Sequence, residues 1–175
     1  MTPALLAAVQ FENQDVDRFL GRFASDVAAR GLRVSGVVQT RGDASGECHC
    51  ADMDLTSLSS GRLFRISQPL GNGSRGCRLH PGALAECAAH LQAEIDRGTD
   101  LLVLNRFGRG ESEGRGFRDL IGYAMQRDIP VLTAVRATYR DAWDAFAGDA
   151  AVTLPLSSGA VSDWFETSMR FEYGL

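Results

Sequence analysis

Leu101-Leu-Val-Leu-Asn-Arg-Phe-Gly-Arg-Gly-Glu-Ser-Glu-Gly-Arg-Gly-Phe117 is the stretch whose reading decides the fold of this chain. Its apolar run stops at Asn105-Arg106, and glycines, arginines and glutamates follow until apolar spacing resumes at Phe117. A short apolar run with sharp polar boundaries is what a strand covered on both faces looks like. In open α/β sheets such a strand empties into the loops that carry the ligand site. The loop is mixed in charge, with Arg106, Arg109 and Arg115 beside Glu111 and Glu113, so it can bind an anion or pair with itself.

Working outward, the pattern alternates. On the N-terminal side, Gly98 closes a helix opened by Pro81, with Leu84, Cys87, Ala88, Leu91 and Ile95 as its apolar stripe. Residues 69–76 are glycine-rich and read as loop. Two short extended stretches, 48–55 and 62–67, are separated by Ser59-Ser60-Gly61 and predict a hairpin. Before them, residues 4–11 and 33–40 read as strands around a helix over 15–30, whose apolar face is Val16, Phe19, Leu20, Phe23 and Val27. On the C-terminal side, Phe117, Leu120, Ile121 and Ala124 mark a helix, 131–135 a strand, 139–146 a helix and 152–156 a strand. A last helix is expected over 162–171. Strands alternating with helices imply βαβ units and a mainly parallel sheet. With no linker, repeat or low-complexity segment, residues 1–175 read as a single α/β domain.

Composition narrows the functional classes. At 175 residues, 45% hydrophobic and 23% charged, the chain suits an ordinary globular domain. A net charge of −4 speaks against general nucleic-acid binding. No apolar run reaches the roughly 20 residues that span a bilayer. The first residues carry no basic segment and run straight into a strand, so a cytoplasmic protein is expected, with no membrane partner. The four cysteines then read as thiols or metal ligands rather than disulfides.

The order strand, helix, strand, hairpin, long helix, strand-plus-loop, helix, strand resembles the small P-loop nucleoside-triphosphatases of the THEP type across about residues 4–156. The run Asn105-Arg106-Phe107-Gly108 through Gly114-Arg115-Gly116, with Gly76-Cys77-Arg78-Leu79-His80-Pro81, more closely resembles an uncharacterised bacterial domain family, the one numbered 2478. That family carries a similar Asn-Lys-Phe-Gly run and is loosely associated with molybdenum-uptake genes. The resemblance implies a three-layer, P-loop-NTPase-like α/β fold with a small β-hairpin insertion. It brings no established activity.

The hydrolytic residues of the NTPases are missing. A phosphate-binding loop needs glycines, a lysine and a hydroxyl after the first strand. Here the turn is Gln10-Phe11-Glu12-Asn13-Gln14-Asp15, with two carboxylates and no lysine or glycine. At the end of the third main strand, where an NTPase places its magnesium-positioning carboxylate, stand Asn105 and Arg106. The nucleotide site reads as degenerate, and magnesium-dependent hydrolysis is not expected.

Two candidate sites remain. The first is an anion pocket built from Asn105, Arg106, Gly108, Arg109 and Arg115, with Gly73, Ser74, Arg75, Gly76 and Arg78 from the facing loop. Glycine backbone supplies N–H donors and arginine a planar charged fork. Arg106, at the rigid strand end, is expected to contribute most. The competing reading pairs the arginines with Glu111 and Glu113 in a solvated lid or subunit contact. The second candidate is a metal site from Cys48, Cys50, Cys77 and His80, with His49 alongside, against the alternative of ordinary thiols in a spacing that matches no common zinc module. Cys87 belongs to the core, and no cofactor is expected. The leading function is a binding or regulatory protein for a small anion, a phosphorylated metabolite or a metal oxyanion such as molybdate. The alternatives are a nucleotide or phosphoryl-transfer enzyme with non-standard residues, and a protein-interaction scaffold. A homo-oligomer is allowed.

Overall fold

The structure is a computed structural model that describes residues 3–40, 54–69, 77–79 and 81–172. Its strands are β1 (Leu6–Gln10), β2 (Val34–Thr40), β3 (Asp54–Ser57), β4 (Leu63–Arg65), β5 (Ser67–Pro69), β6 (Cys77–Leu79), β7 (Leu101–Leu104), β8 (Val131–Val135) and β9 (Ala151–Leu154). The helices are α1 (Val16–Ala29), α2 (Pro81–Arg97), α3 (Arg109–Ser112), α4 (Arg118–Met125), α5 (Arg140–Ala147) and α6 (Ser158–Glu172).

Among the described residues, seven strands form one sheet in the order β4-β3-β2-β7-β8-β1-β9. The strands β2, β7, β8, β1 and β9 are parallel neighbours, with Leu6 opposite Val131 on one side and Ala151 on the other. The β3–β4 hairpin adds antiparallel strands to the β2 edge, and β5 pairs with β6 in a separate ribbon. This is the expected α/β architecture with its hairpin insertion.

Period-two alternation makes three layers of it. Leu6 and Ala8 of β1, Leu102 and Leu104 of β7, and Val131 and Val135 of β8 pack with α2, α4 and α5 through Leu91, Ile121 and Trp143. The intervening Ala7, Val9, Leu101, Val103, Leu132 and Ala134 pack with α1 and α6 through Leu20, Phe23, Val161 and Phe165. The continuous apolar runs in the sequence reflect this two-sided burial. Close approach of β2 to β7 is a glycine contact. Gly36 has φ +144°, and a Cβ there would run into the Val103 backbone carbonyl.

The helix α1 that follows β1 and the helix α5 that follows β8 lie on opposite faces of the sheet. Since β1 and β8 are neighbours, the winding reverses between them. That opens a crevice at their carboxyl ends.

Several boundaries differ from the sequence reading. The segment 69–76 was expected to be all loop, yet Pro69 ends β5, and the ribbon was missed because three-residue strands carry no periodicity. The loop after β7 contains α3, one helical turn hidden by its glycines. The last strand is Ala151–Leu154, since Pro155 cannot continue a ladder, and the last helix starts earlier, at Ser158.

Candidate functional site

The turn between β1 and α1 uses its own side chains to satisfy its backbone. Glu12 N–H donates to Gln14 Oε1 at 2.7 Å, and Asp15, the α1 N-cap, accepts from Arg18 N–H at 3.1 Å. Glu12 Oε1 in turn accepts from Ala137 N–H at 2.9 Å, tying this turn to the segment after β8. The positive end of the α1 dipole is occupied by a carboxylate of the chain itself. A phosphate would meet the carboxylates of Glu12 and Asp15 there.

At the end of β7, the Asn105 residue is 7% exposed, and its side-chain amide makes no hydrogen bond among the described residues. Arg106 turns back toward α1 and donates from Nη2 to Asp17 Oδ2 at 2.9 Å. Asp17 Oδ1 accepts the Gln39 N–H at 2.7 Å. Burial raises the Asp17 carboxyl above its ordinary value, opposed by the Gln39 N–H and by Arg106. The cation expected to lead an anion pocket is therefore neutralised by a partner 89 positions away in sequence.

Phe11, the first residue past β1, has two guanidinium groups over its ring. The Cζ atoms of Arg106 and Arg136 stand 5.5 and 4.9 Å from its ring centre. Arg136 follows β8 directly and has no ion pair among the described residues.

The loop after β7 is ordered by Glu111. This residue was expected to pair with arginines, and it does not. It is 8% exposed. Burial pushes its carboxyl upward, opposed by the backbone N–H groups of Glu111 itself, Phe117 and Gly108 and by Arg106. Gly116 has φ +64°, and a Cβ there would sit 2.5 Å from Glu111 Oε2, so only glycine lets the carboxyl fold in. Glu113 is the arginine partner. It binds Arg109 Nε at 3.1 Å and Arg115 at the surface, and these hydrogen bonds hold its carboxyl below the ordinary range. Phe107 anchors the base of the loop, with Trp143 edge-on at 5.4 Å and Phe146 stacked at 5.5 Å.

These pieces enclose a cavity of ≈ 290 Å³ at the carboxyl ends of β2, β7 and β8. Phe11, Leu55, Ile66, Leu84, Phe107 and Phe117 give it apolar walls, and Gln39, Asn105, Arg106, Glu111, Arg136 and Tyr139 its polar groups. Among the described residues, Gln39 Oε1 is buried without a donor and Arg106 Nε without an acceptor. Of the expected anion-site residues, Asn105, Arg106, Gly108 and Arg109 line this cavity, while the Arg115 side chain is spent on Glu113 at the surface. Arg78 and Cys77 lie on β6. Gly73, Ser74, Arg75 and Gly76, and the proposed metal ligands Cys48, Cys50 and His80, lie outside the described residues. Among the described residues there is no cluster of three or more His, Cys, Asp or Glu side chains placed to hold a metal ion. The sequence reading passed over Gln39, Phe11 and Arg136. Arg136 could have been found, because it follows an apolar run just as Asn105-Arg106 follows Leu101–Leu104.

The family described as "Protein of unknown function (DUF2478)" matches residues 5–164. The chain belongs to this family. A molybdenum import ATP-binding protein, ModC 2, of Bradyrhizobium diazoefficiens is 35% identical over 172 residues, which is 97% of this chain and 19% of that protein. The chain thus spans about a fifth of the length of the curated relative it matches. No solved structure matches the chain. The α/β fold, with its mostly parallel seven-stranded sheet flanked by helices, is consistent with a P-loop-NTPase-like architecture. Among the described residues no helix is long and apolar enough to cross a membrane.

Proposed function

We propose that this DUF2478 chain is a binding or regulatory module for a small anion, a phosphorylated metabolite or a metal oxyanion such as molybdate, and that it does not hydrolyse nucleoside triphosphates. The observation that carries this reading is the cavity at the strand ends. There Asn105, a buried residue, and Arg136, which has no ion pair among the described residues, line one hollow. Such a mostly apolar hollow with a few convergent polar groups has the character of a ligand site, at the lower end of the roughly 300–1,000 Å³ such sites occupy.

The turn after β1 supports binding without hydrolysis, since it has no lysine or glycine and carries the Glu12 and Asp15 carboxylates at the start of α1. The molybdenum link rests on the name of the relative. Four fifths of that relative lies outside the match, and we assign the ATP-binding part of its name to that remainder, because this chain has no phosphate-binding loop. Beside such an import ATPase, a cytoplasmic sensor domain is the natural role.

Calorimetry against molybdate, phosphate, sulfate and nucleotides, in wild type and Arg136→Ala, tests the reading. A charge-assisted contact worth about 1.5–3 kcal/mol predicts a loss of about 10- to 100-fold in affinity for Arg136→Ala. Absence of binding by every probe at millimolar concentration would overturn it.

A further inference from the structure

We infer that the anion this cavity takes is a singly charged organic acid, with a carboxylate head at Arg136 and an apolar body in the hollow, rather than an inorganic dianion. The inference rests on the small-anion reading and narrows it.

The charges around the cavity set the charge of the ligand. Among the described residues, the charged side chains that line it are those of Arg106, Arg109, Glu111 and Arg136. Arg106 is paired with Asp17 at 2.9 Å and Arg109 with Glu113 at 3.1 Å. Arg136 has no ion pair among the described residues. It also borders a second hollow, of ≈ 230 Å³, where the charged neighbours are Glu12 and Arg140, the latter paired with Asp144. A dianion would thus meet one unpaired cation in a setting that also holds the carboxyl groups of Glu111 and Glu12. A single negative charge is matched by Arg136, and a second one is opposed by like charge.

Size and lining set the rest. A dry apolar cavity of about 150 Å³ is enough to hold benzene. The hollow here is ≈ 290 Å³. A tetrahedral oxyanion, smaller than benzene, would leave most of that space to water lying against Leu55, Ile66, Leu84, Phe107 and Phe117. Such walls stabilise a ligand only through apolar surface that it withdraws from water. Phe11 joins the two parts of the site. Its buried ring is one wall of the cavity, and the exposed Arg136 guanidinium stands over that ring, with Cζ 4.9 Å from the centre. The cation–π contact holds the charge at the rim, where its planar N–H fork suits a carboxylate. Charge at the rim and apolar surface within is the order of head and body in an aliphatic or aromatic acid.

The test is titration calorimetry with acetate, butanoate, hexanoate, octanoate, hexanol, orthophosphate and molybdate, on wild type, Arg136→Ala and Leu84→Asn. In wild type, affinity should rise about threefold for each CH₂ added to the alkanoate. Arg136→Ala should weaken hexanoate and octanoate about tenfold or more while leaving hexanol unchanged. Leu84→Asn, which puts an amide into the wall, should weaken octanoate about tenfold. Thermal unfolding shows that each variant is folded, and the alkanoate series with Arg136→Ala suffices if Leu84→Asn does not fold. If molybdate or orthophosphate binds and no alkanoate does, or if affinity is equal from acetate to octanoate, the inference fails and the small-anion reading stands. Octanoate binding indifferent to Arg136→Ala also ends the inference. If no probe binds at millimolar concentration, both readings fall.

Discussion

Replacing Arg106 with alanine leaves the Asp17 carboxylate in its place between α1 and the sheet, held only by the Gln39 N–H. The paired side chains are 26% and 18% exposed. That lies between a surface pair, worth about 0–1 kcal/mol, and a buried one, where removing one partner costs about 3–5 kcal/mol. A loss of about 2 kcal/mol is expected at neutral pH, equivalent to a fall in Tm of about 4–8 °C for a protein of this size. The loss should depend on pH with a definite sign. Burial raises the Asp17 carboxyl, and losing Arg106 raises it further. A carboxyl whose folded pKa lies above its unfolded value contributes stability below the unfolded pKa and loses it as pH rises through the folded one. The penalty for Arg106→Ala should therefore be full at neutral pH and shrink in mildly acidic buffer, where Asp17 becomes neutral. Urea unfolding followed by tryptophan fluorescence at both pH values measures it. Asp17→Asn/Arg106→Ala should recover much of the loss at neutral pH. A penalty below about 0.5 kcal/mol, or one equal at both pH values, or a double variant no more stable than Arg106→Ala, would refute the reasoning.

Other outcomes follow from the same geometry. Gly116→Ala should destabilise by about 2–4 kcal/mol in urea unfolding, combining strain at φ +64° with displacement of the Glu111 carboxyl; a change within experimental error would show that the loop does not need its buried carboxyl. Purified protein should release no phosphate from ATP or GTP with magnesium, because the turn after β1 has two carboxylates and neither lysine nor glycine; release abolished by chelator and by Asn105→Ala would contradict this. The Cys87 thiol, fully buried and pushed up to about 12 by burial, should resist iodoacetamide at mildly alkaline pH in the native protein and react in urea. Mass spectrometry of the Cys87 peptide reads the difference, and rapid native labelling would show that α2 opens.

Much of the architecture could be read from the sequence because burial on both faces writes a continuous apolar run. Leu101–Leu104 and Val131–Val135 were bounded correctly for that reason. The Cys87, Leu91 and Ile95 stripe likewise fixed the inward face of α2. Elements of three or four residues, such as β5, β6 and α3, are too short for any period to show. A cavity stands at the strand ends where a site was expected, but the charges beside it pair differently from the expectation. Arg106 finds Asp17 across the fold, and Glu111 turns inward while its near neighbour Glu113 pairs outward. Both outcomes depend on contacts made through tertiary packing, with Gly116 making room for Glu111. Strand ends gave the place, and pairing distant in sequence decided which groups remain available there.

The position of β1 has a consequence for how the polypeptide matures. During synthesis this strand emerges before all others described here, yet Leu6 pairs with Val131 on one side and Ala151 on the other. Until residues 131–135 have been made, its apolar residues have no ladder to join. The β2, β3 and β4 strands can assemble first, because their hairpin is local. Closing the centre of the sheet requires contacts of large sequence separation, which slows acquisition of the native state and prolongs exposure of an aggregation-prone segment. The crevice beside Phe11 and Arg136 is consequently among the last features to form, so a nascent chain cannot engage a ligand there until β8 has been made.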